Sequence, residues 1–205
     1  KSTLVKILYG LQQADSGRIT IYNNTVHFQS AKDAINLGIG MVHQHFMLVD
    51  TLTVLENLIL GAEPTSGPTL DYQAARRYTK DLIHKFGFDI DPDIRIEELP
   101  LGLQQQVEIL KALYRKAQIL ILDEPTAVLT PQETTGLFTF IREFAIQGNS
   151  VIFISHKLDE VMDLCDRMSV MRDGKMIGTV KQSETDQREL ANMMAAGDID
   201  GYMLK

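Results

Sequence analysis

Asp123 and Glu124 directly follow the unbroken apolar run Ile119–Leu122. Two carboxylates at the end of a buried strand are costly unless something uses them. Side chains alternate along an extended segment, so the pair is expected to face different ways and do different work. One can hold Mg2+, directly or through water, and the other can take a proton from an attacking water. A solvent-facing acidic turn ahead of Pro125 is the plainer reading. A second apolar run, Val151–Ile154, ends at Ser155-His156. An imidazole there can meet a phosphate or a nucleophile, or Ser155 or His156 only caps the next helix. A third run, Ile39–Val42, leads to Gln44, whose amide oxygen can ligate Mg2+ or orient water. The fourth piece, Lys1-Ser2-Thr3, stands at the mouth of a helical pattern. It fits the end of the phosphate-loop pattern G-x-x-x-x-G-K-[ST], in which helix-start amides bind phosphate, the lysine neutralises charge and the hydroxyl reaches Mg2+. His43 and His45 share a face of an extended segment, but no further ligand is near in sequence, so no zinc site is expected.

The elements that must position these residues follow from periodicity. Leu4, Ile7, Leu8 and Leu11 recur at helical spacing over residues 2–11. Ile19–Tyr22 and Val26–Phe28, joined through Asn23-Asn24, predict a hairpin. Ser30 can cap a short helix through Leu37, and Thr53–Leu60 predicts another. The segment Ala62–Pro68, with two prolines and a glycine, marks a boundary. Beyond it, helices are predicted over Asp71–Phe86 and Leu103–Lys116. The runs 119–122 and 151–154 predict strands covered on both faces, separated by a helix near Gln132–Ile146, which makes a parallel crossover unit. A closing hairpin turns at Asp173-Gly174, and a last helix starts at Thr185 or Asp186. The result is an open α/β sheet interrupted by a helical lobe, and such sheets bind ligands at the carboxyl ends of their strands.

Composition narrows the field. The chain has 205 residues, 44% hydrophobic, with 20 Lys+Arg against 27 Asp+Glu and a net charge of −7. That is enough apolar material for a core and argues against disorder. An acidic chain without a basic footprint gives no reason to expect a nucleic-acid partner. The apolar runs fall far short of the ~18 residues a membrane helix needs. A lone cysteine, Cys165, precludes an intrachain disulfide and suits a reducing compartment. Nothing at the start looks like a secretory leader. Cys165 and the nine methionines are expected to fill core, and Gln104–Gln106 to include exposed helix face. Residues 198–205 are expected to fray or to lead into a linker.

The order of the motifs resembles the ATPase domain of ABC transporters over nearly the whole chain. The resemblance rests on Gly40-Met41-Val42-His43-Gln44-His45-Phe46, Leu52-Thr53-Val54-Leu55-Glu56-Asn57, the run 99–109 (LPLGLQQQVEI), the run 121–133 (ILDEPTAVLTPQE) and Ile154-Ser155-His156-Lys157-Leu158. It looks most like the first cassette of tandem-cassette importers for simple sugars, nucleosides or similar solutes. The resemblance implies an α/β P-loop NTPase of RecA type. Its core would span 1–61 and 118–205, with an inserted helical signature subdomain over 62–117 and a truncated N-terminus that lacks a strand, an adenine-stacking aromatic and the loop glycines. It implies ATP and Mg2+ as ligands. Lys1, Ser2 and Thr3 would end the Walker A loop. Gln44 would contact Mg2+ and couple to the membrane subunit. Ser2, Gln44 and Asp123 would hold Mg2+, Glu124 would polarise the attacking water, and His156 would sit near the γ-phosphate. The implied activity is ATP hydrolysis driving solute uptake at the cytoplasmic face of the inner or plasma membrane. The implied partners are permease subunits, a second cassette and, indirectly, a solute-binding protein. A non-hydrolysing nucleotide-binding module and a soluble ABC ATPase without a permease are the alternatives.

Two departures from the family pattern stand out. The signature Leu-Ser-Gly-Gly-Gln reads Leu99, Pro100, Leu101, Gly102 and Leu103 here, followed by Gln104. Pro100 has no hydroxyl to reach a γ-phosphate across a dimer, and Leu101 crowds close backbone approach. Gly102 at a helix start is expected to retain some anion affinity. The usual Ser-Ala-Leu-Asp after the acidic pair reads Ala127-Val128-Leu129-Thr130, so the aspartate is missing. The expectation is an asymmetric pair: one composite site completed by the partner's signature, the other degraded by Pro100 and Leu101.

Overall fold

Lys1 is followed at once by α1 (Ser2–Leu8), which buries Val5 and stops short of Leu11 because the chain turns at Gly10 with φ 74°. A hairpin follows, β1 (Ile19–Ile21) and β2 (Asn24–Val26). Ile19 faces Val26 and Ile21 faces Asn24. Its two-residue turn has Tyr22 and Asn23 at φ 49° and 64°, as a right-twisted hairpin requires. In α2 (Ala31–Asn36) the Asp33 carboxylate accepts from the Ser30 and Gln29 amides. Then come β3 (Ile39–Val42), buried along its whole length, and α3 (Val54–Ile59). Thr53 caps α3 and receives Glu56 in return. The segment expected to be a plain boundary holds a small hairpin, β4 (Thr65–Ser66) and β5 (Thr69–Leu70), with Thr65 opposite Leu70.

The helical part is α4 (Tyr72–Lys85), capped by Asp71, and α5 (Leu101–Tyr114). α5 begins two residues before the predicted start, because Pro100 takes the extended N-cap conformation and leaves the following residues free to enter the helix. β6 (Ile119–Asp123), α6 (Pro131–Ile146) and β7 (Ser150–Ile154) make the predicted strand–helix–strand unit. The remaining elements are α7 (Leu158–Leu164), β8 (Arg167–Arg172), β9 (Lys175–Lys181) and α8 (Gln187–Met194). Asp173 and Gly174, at φ 50° and 76°, turn β8 into β9.

This computed structural model describes residues 1–195; the segment 198–205 lies outside them. The chain divides into two compact units, Ser2–Ile152 and Lys1 with Phe153 onward. In the first, the central sheet runs β3-β6-β7. β3 and β6 are parallel, with Ile39 opposite Ile119 and Val42 opposite Leu122. α5 packs on β3 so closely that a Cβ added at Gly40 would lie 2.7 Å from the Ala112 Cβ and 2.9 Å from the Ala117 Cβ. The largest apolar cluster joins Val54, Leu55 and Leu58 of α3, Ala75 and Leu82 of α4, and Val107, Leu110 and Tyr114 of α5.

β7 departs from expectation. It was expected to be covered on both faces, yet Ser150 and Ile152 are exposed and Val151 is only part-buried. Among the described residues both β3 and β7 end the sheet, but β3 is buried because α2 and α5 pack on it, and burial on both faces needs such cover. The second unit has its own small core of Met168, Val170 and Leu190. Cys165 packs against it only partly buried, and burial with the nearby Asp166 charge pushes its thiol up to about 11. The methionines divide: Met41 and Met168 are buried, whereas Met47 and Met176 are more than half exposed, a residue placement that core filling does not explain.

Candidate nucleotide site

Parallel pairing places two of the chemistry-bearing strand ends side by side. Because Val42 lies opposite Leu122 in a parallel pair, His43-Gln44 and Asp123-Glu124 follow the paired residues at the same end of the sheet. His43 is half-buried. Burial pushes its pKa below the usual histidine value, and the Asp123 carboxylate partly pulls it back. Tyr9 meets the His43 ring edge-on at 6.0 Å. Gln44 is exposed, and Asp123 and Glu124 are half-buried.

The two acids stand on different backbone conformations. Asp123 is the last residue of β6, whereas Glu124 has left the strand with φ 50°. A non-glycine residue in that region is strained by about 1–3 kcal/mol. Glu124 opens a turn in which its carbonyl accepts from the Ala127 amide at 3.3 Å. Thr126, in the same turn, is buried. Glu124 therefore does not continue the extended backbone of β6, and strand alternation does not relate the two acids.

In the other unit, Lys1 Nζ donates to the Ser155 carbonyl at 3.4 Å, so the lysine sits at the strand end that carries His156. Ser155 Oγ accepts from the Lys157 amide at 3.0 Å and donates to Glu160 Oε2 at 3.1 Å. Neither residue is the cap of α7, whose N-cap is Lys157 without a side-chain cap bond; Ser155 instead braces the turn ahead of the helix, and His156 is exposed. Ser2 and Thr3 are exposed in the first turn of α1. Ser2, Gln44 and Asp123 offer a hydroxyl, an amide oxygen and a carboxylate. This sparse, all-oxygen set suits Mg2+, which keeps waters and substrate phosphates as its other ligands.

The signature residues are occupied with their own fold. Pro100 caps α5 without a side-chain bond. Leu101 is 52% exposed. Gly102 is covered by the Glu133 carboxylate, which a Cβ at that position would strike. Glu133 is itself fixed, since its Oε2 accepts from the Thr130 amide at 2.8 Å and from Thr130 Oγ1 at 2.9 Å. An internal carboxylate thus already lies at the helix start expected to attract anions. Leu103 is part-buried in the apolar cluster, and Gln104 donates to the Leu99 carbonyl at 2.9 Å. None of Gln104–Gln106 is exposed, and Gln105 is almost wholly buried.

Sequence reasoning missed the residues that hold the segment after Gln44. Glu108, 3% exposed, accepts from the Met47 amide. Lys111 Nζ donates to the Met47 carbonyl at 2.7 Å. Burial pushes Glu108 up and Lys111 down, and each charge partly offsets the shift of the other. Asn57, fully buried, serves Val49 in the same way: its Oδ1 accepts from the Val49 amide at 2.7 Å and its Nδ2 donates to the Val49 carbonyl at 3.0 Å. The available signal was a Glu–Lys pair three apart inside an apolar helix.

Comparison with known proteins fixes the family. The ABC transporter family profile matches residues 1–127. The chain belongs to the ABC transporter family. It is 47% identical to the nucleoside import ATP-binding protein NupA of Lactococcus lactis subsp. cremoris over 97% of this chain and 39% of that protein. It is 43% identical to the glucose import ATP-binding protein TsgD13 of Haloferax volcanii over 97% and 41%. The chain thus spans about two-fifths of the length of these relatives. A solved ATP-binding cassette of an ABC transporter, in its ADP conformation, superposes with a TM-score of 0.78 at 24% identity, covering 100% of this chain and 84% of that one. The P-loop NTPase cassette fold is therefore that of this ABC protein. Among the described residues no helix is long and apolar enough to cross a membrane.

Proposed function

We propose that this chain is the ATP-binding and ATP-hydrolysing cassette of an importer for a small solute, a sugar, nucleoside or similar compound. The observation that supports the proposal is the parallel β3/β6 pairing, in which the segments carrying Gln44 and Asp123-Glu124 leave the sheet at the same end. The substrate is Mg-ATP, whose metal neutralises phosphate charge. Lys1 adds positive charge at the β- and γ-phosphates, with Ser2 and Thr3 beside it. Ser2, Gln44 and Asp123 hold the metal. Glu124 takes the proton of the attacking water as its oxygen bonds to the γ-phosphorus and the bridging P–O bond to ADP breaks. His156 contacts the γ-phosphate. The division expected from sequence, with core 1–61 and 118–205 and a helical subdomain 62–117, belongs to this proposal. So do the partners: permease subunits, a second cassette that supplies a signature, and a solute-binding protein acting through the permease at the cytoplasmic membrane face.

Pro100, Leu101 and the covered Gly102 support an asymmetric pair, in which the site completed by this chain's signature turns over slowly. The test is Glu124→Gln in the full transporter. Loss of a general base lowers hydrolysis at its site by about 10²–10⁴-fold. Unchanged ATPase activity refutes both the role of Glu124 and the asymmetry.

A further inference from the structure

The segment leaving Gln44 is gripped twice by side chains that act as substitute strand partners. Glu108 and Lys111 of α5 take both polar backbone groups of Met47, and Asn57 of α3 takes both of Val49. Met47 and Val49 are themselves exposed, at 62% and 41%, and only Leu48 between them packs on the apolar cluster, so these two residues are held through their backbone groups. On its other side Gln44 is fixed by β3, paired with β6. Only His45 and Phe46 separate Gln44 from the Met47 grip. The grip is made by the helix that begins at Pro100 and carries Leu101–Gln104 in its first turn. An α-helix is stiff at about 1.5 Å per residue, so the eight positions from Pro100 to Glu108 span about 12 Å. A shift of the α5 start is therefore felt at Met47. The desolvation of Glu108 and Lys111 points the same way, since burying two charges is costly and each is compensated here by the other and by a backbone group.

We propose that Glu108 and Lys111 are positioning residues that make α5 a lever: by holding Met47 they set the place of Gln44, so that engagement of Pro100–Gln104 by a second cassette is transmitted to this chain's own nucleotide end. The inference rests on the reading of Gln44 as a residue that works on Mg-ATP. It concerns no new catalytic group, because neither Glu108 nor Lys111 acts except through the Gln44 segment.

The experiment is a double-mutant cycle on the full transporter, with kcat and KM for Mg-ATP measured beside thermal unfolding. Lys111→Met removes the donor to the Met47 carbonyl while keeping an unbranched side chain of similar length. Glu108→Leu removes the acceptor, and Glu108→Gln keeps an oxygen that accepts from the Met47 amide. Partners that orient a metal or water ligand typically cost 10–100-fold when lost. Lys111→Met is therefore expected to lower kcat by about 10-fold or more, and adding it to Gln44→Ala is expected to lower kcat no further. Glu108→Gln is expected to retain activity that Glu108→Leu loses. If Glu108→Leu does not fold, faster amide hydrogen exchange at Met47 in Lys111→Met, at an unchanged unfolding temperature, carries the same support; unaltered exchange there overturns the proposal. If Gln44→Ala lowers kcat but Lys111→Met multiplies independently with it, the lever is overturned and the reading of the site stands. If Gln44→Ala changes neither kcat nor KM, both fall.

Discussion

Gly40→Ala is a sharp test of the packing that places α5 against the site strand. Gly40 lies in β3 opposite Leu120, with no positive φ to demand a glycine. Its need is proximity alone. The new methyl would stand 2.7 Å from the Ala112 Cβ, 2.9 Å from the Ala117 Cβ and 3.4 Å from the Leu120 Cδ1. Two of these three atoms are attached directly to backbone, so no side chain can rotate away and α5 must retreat from β3. Overpacking of this kind costs about 1–3 kcal/mol. The lower entropy of the unfolded alanine chain returns about 0.4–1 kcal/mol, leaving a net loss of about 1–2 kcal/mol. For a chain of this size that lowers Tm by roughly 2–4 °C per kcal/mol, or about 2–8 °C in all. Differential scanning calorimetry measures it. Ala112→Gly in the same chain removes the nearest contact, so the two changes together should cost less than the sum of each alone. A Gly40→Ala chain that melts with its parent, or strict additivity with Ala112→Gly, refutes the claim that close approach fixes this position.

Other consequences follow from the same geometry. Glu124→Gly is expected to abolish hydrolysis without lowering Tm, because glycine accepts the φ of 50° that glutamate holds under strain; a large drop in Tm contradicts the strained turn. Restoring Pro100→Ser and Leu101→Gly is expected to raise turnover at the slow composite site, read as ATPase rate in a transporter whose other site carries the equivalent of Glu124→Gln. Hydrogen bonds from backbone amides hold Asp33 and Glu133 below their ordinary values of 3.8 and 4.5. A depressed carboxyl stabilises the fold fully above its unfolded pKa and ceases to as pH falls through the folded one. The caps of α2 and α6 are therefore expected to loosen only below about pH 4.5, with carboxyl NMR titrations giving midpoints under those two values. Thr53→Ala deletes the acceptor for the Glu56 amide and is expected to cost about 0.5–2 kcal/mol by denaturant unfolding.

What could be read without coordinates, and what could not, follows a physical division. Gln44, Asp123, Glu124 and His156 stand where an apolar run stops, and a strand covered by its neighbours announces that stop in one dimension. β6 obeys the pattern because it lies between β3 and β7, and β3, although it ends the sheet among the described residues, obeys it because α2 and α5 pack on it. β7 carries an equally apolar run, yet Ile152 is exposed, since its cover depends on what lies across from it rather than on its own residues. The pair Asp123-Glu124 stands at a strand end as expected, but the backbone at Glu124 could not be read, because left-handed conformations in glutamate have no residue-type signature as they do in glycine. Least legible of all were Glu108 and Lys111. Their partners are the N–H and C=O of Met47, groups that every residue but proline possesses, so nothing in the identity of residue 47 points to them. Side chains that perform chemistry are constrained in type and stand at strand ends. Side chains that hold the backbone between them are constrained mainly by place, and place is set by the packing of α5 on β3, whose sequence traces are the glycine at position 40 and the Glu108–Lys111 spacing in an apolar helix.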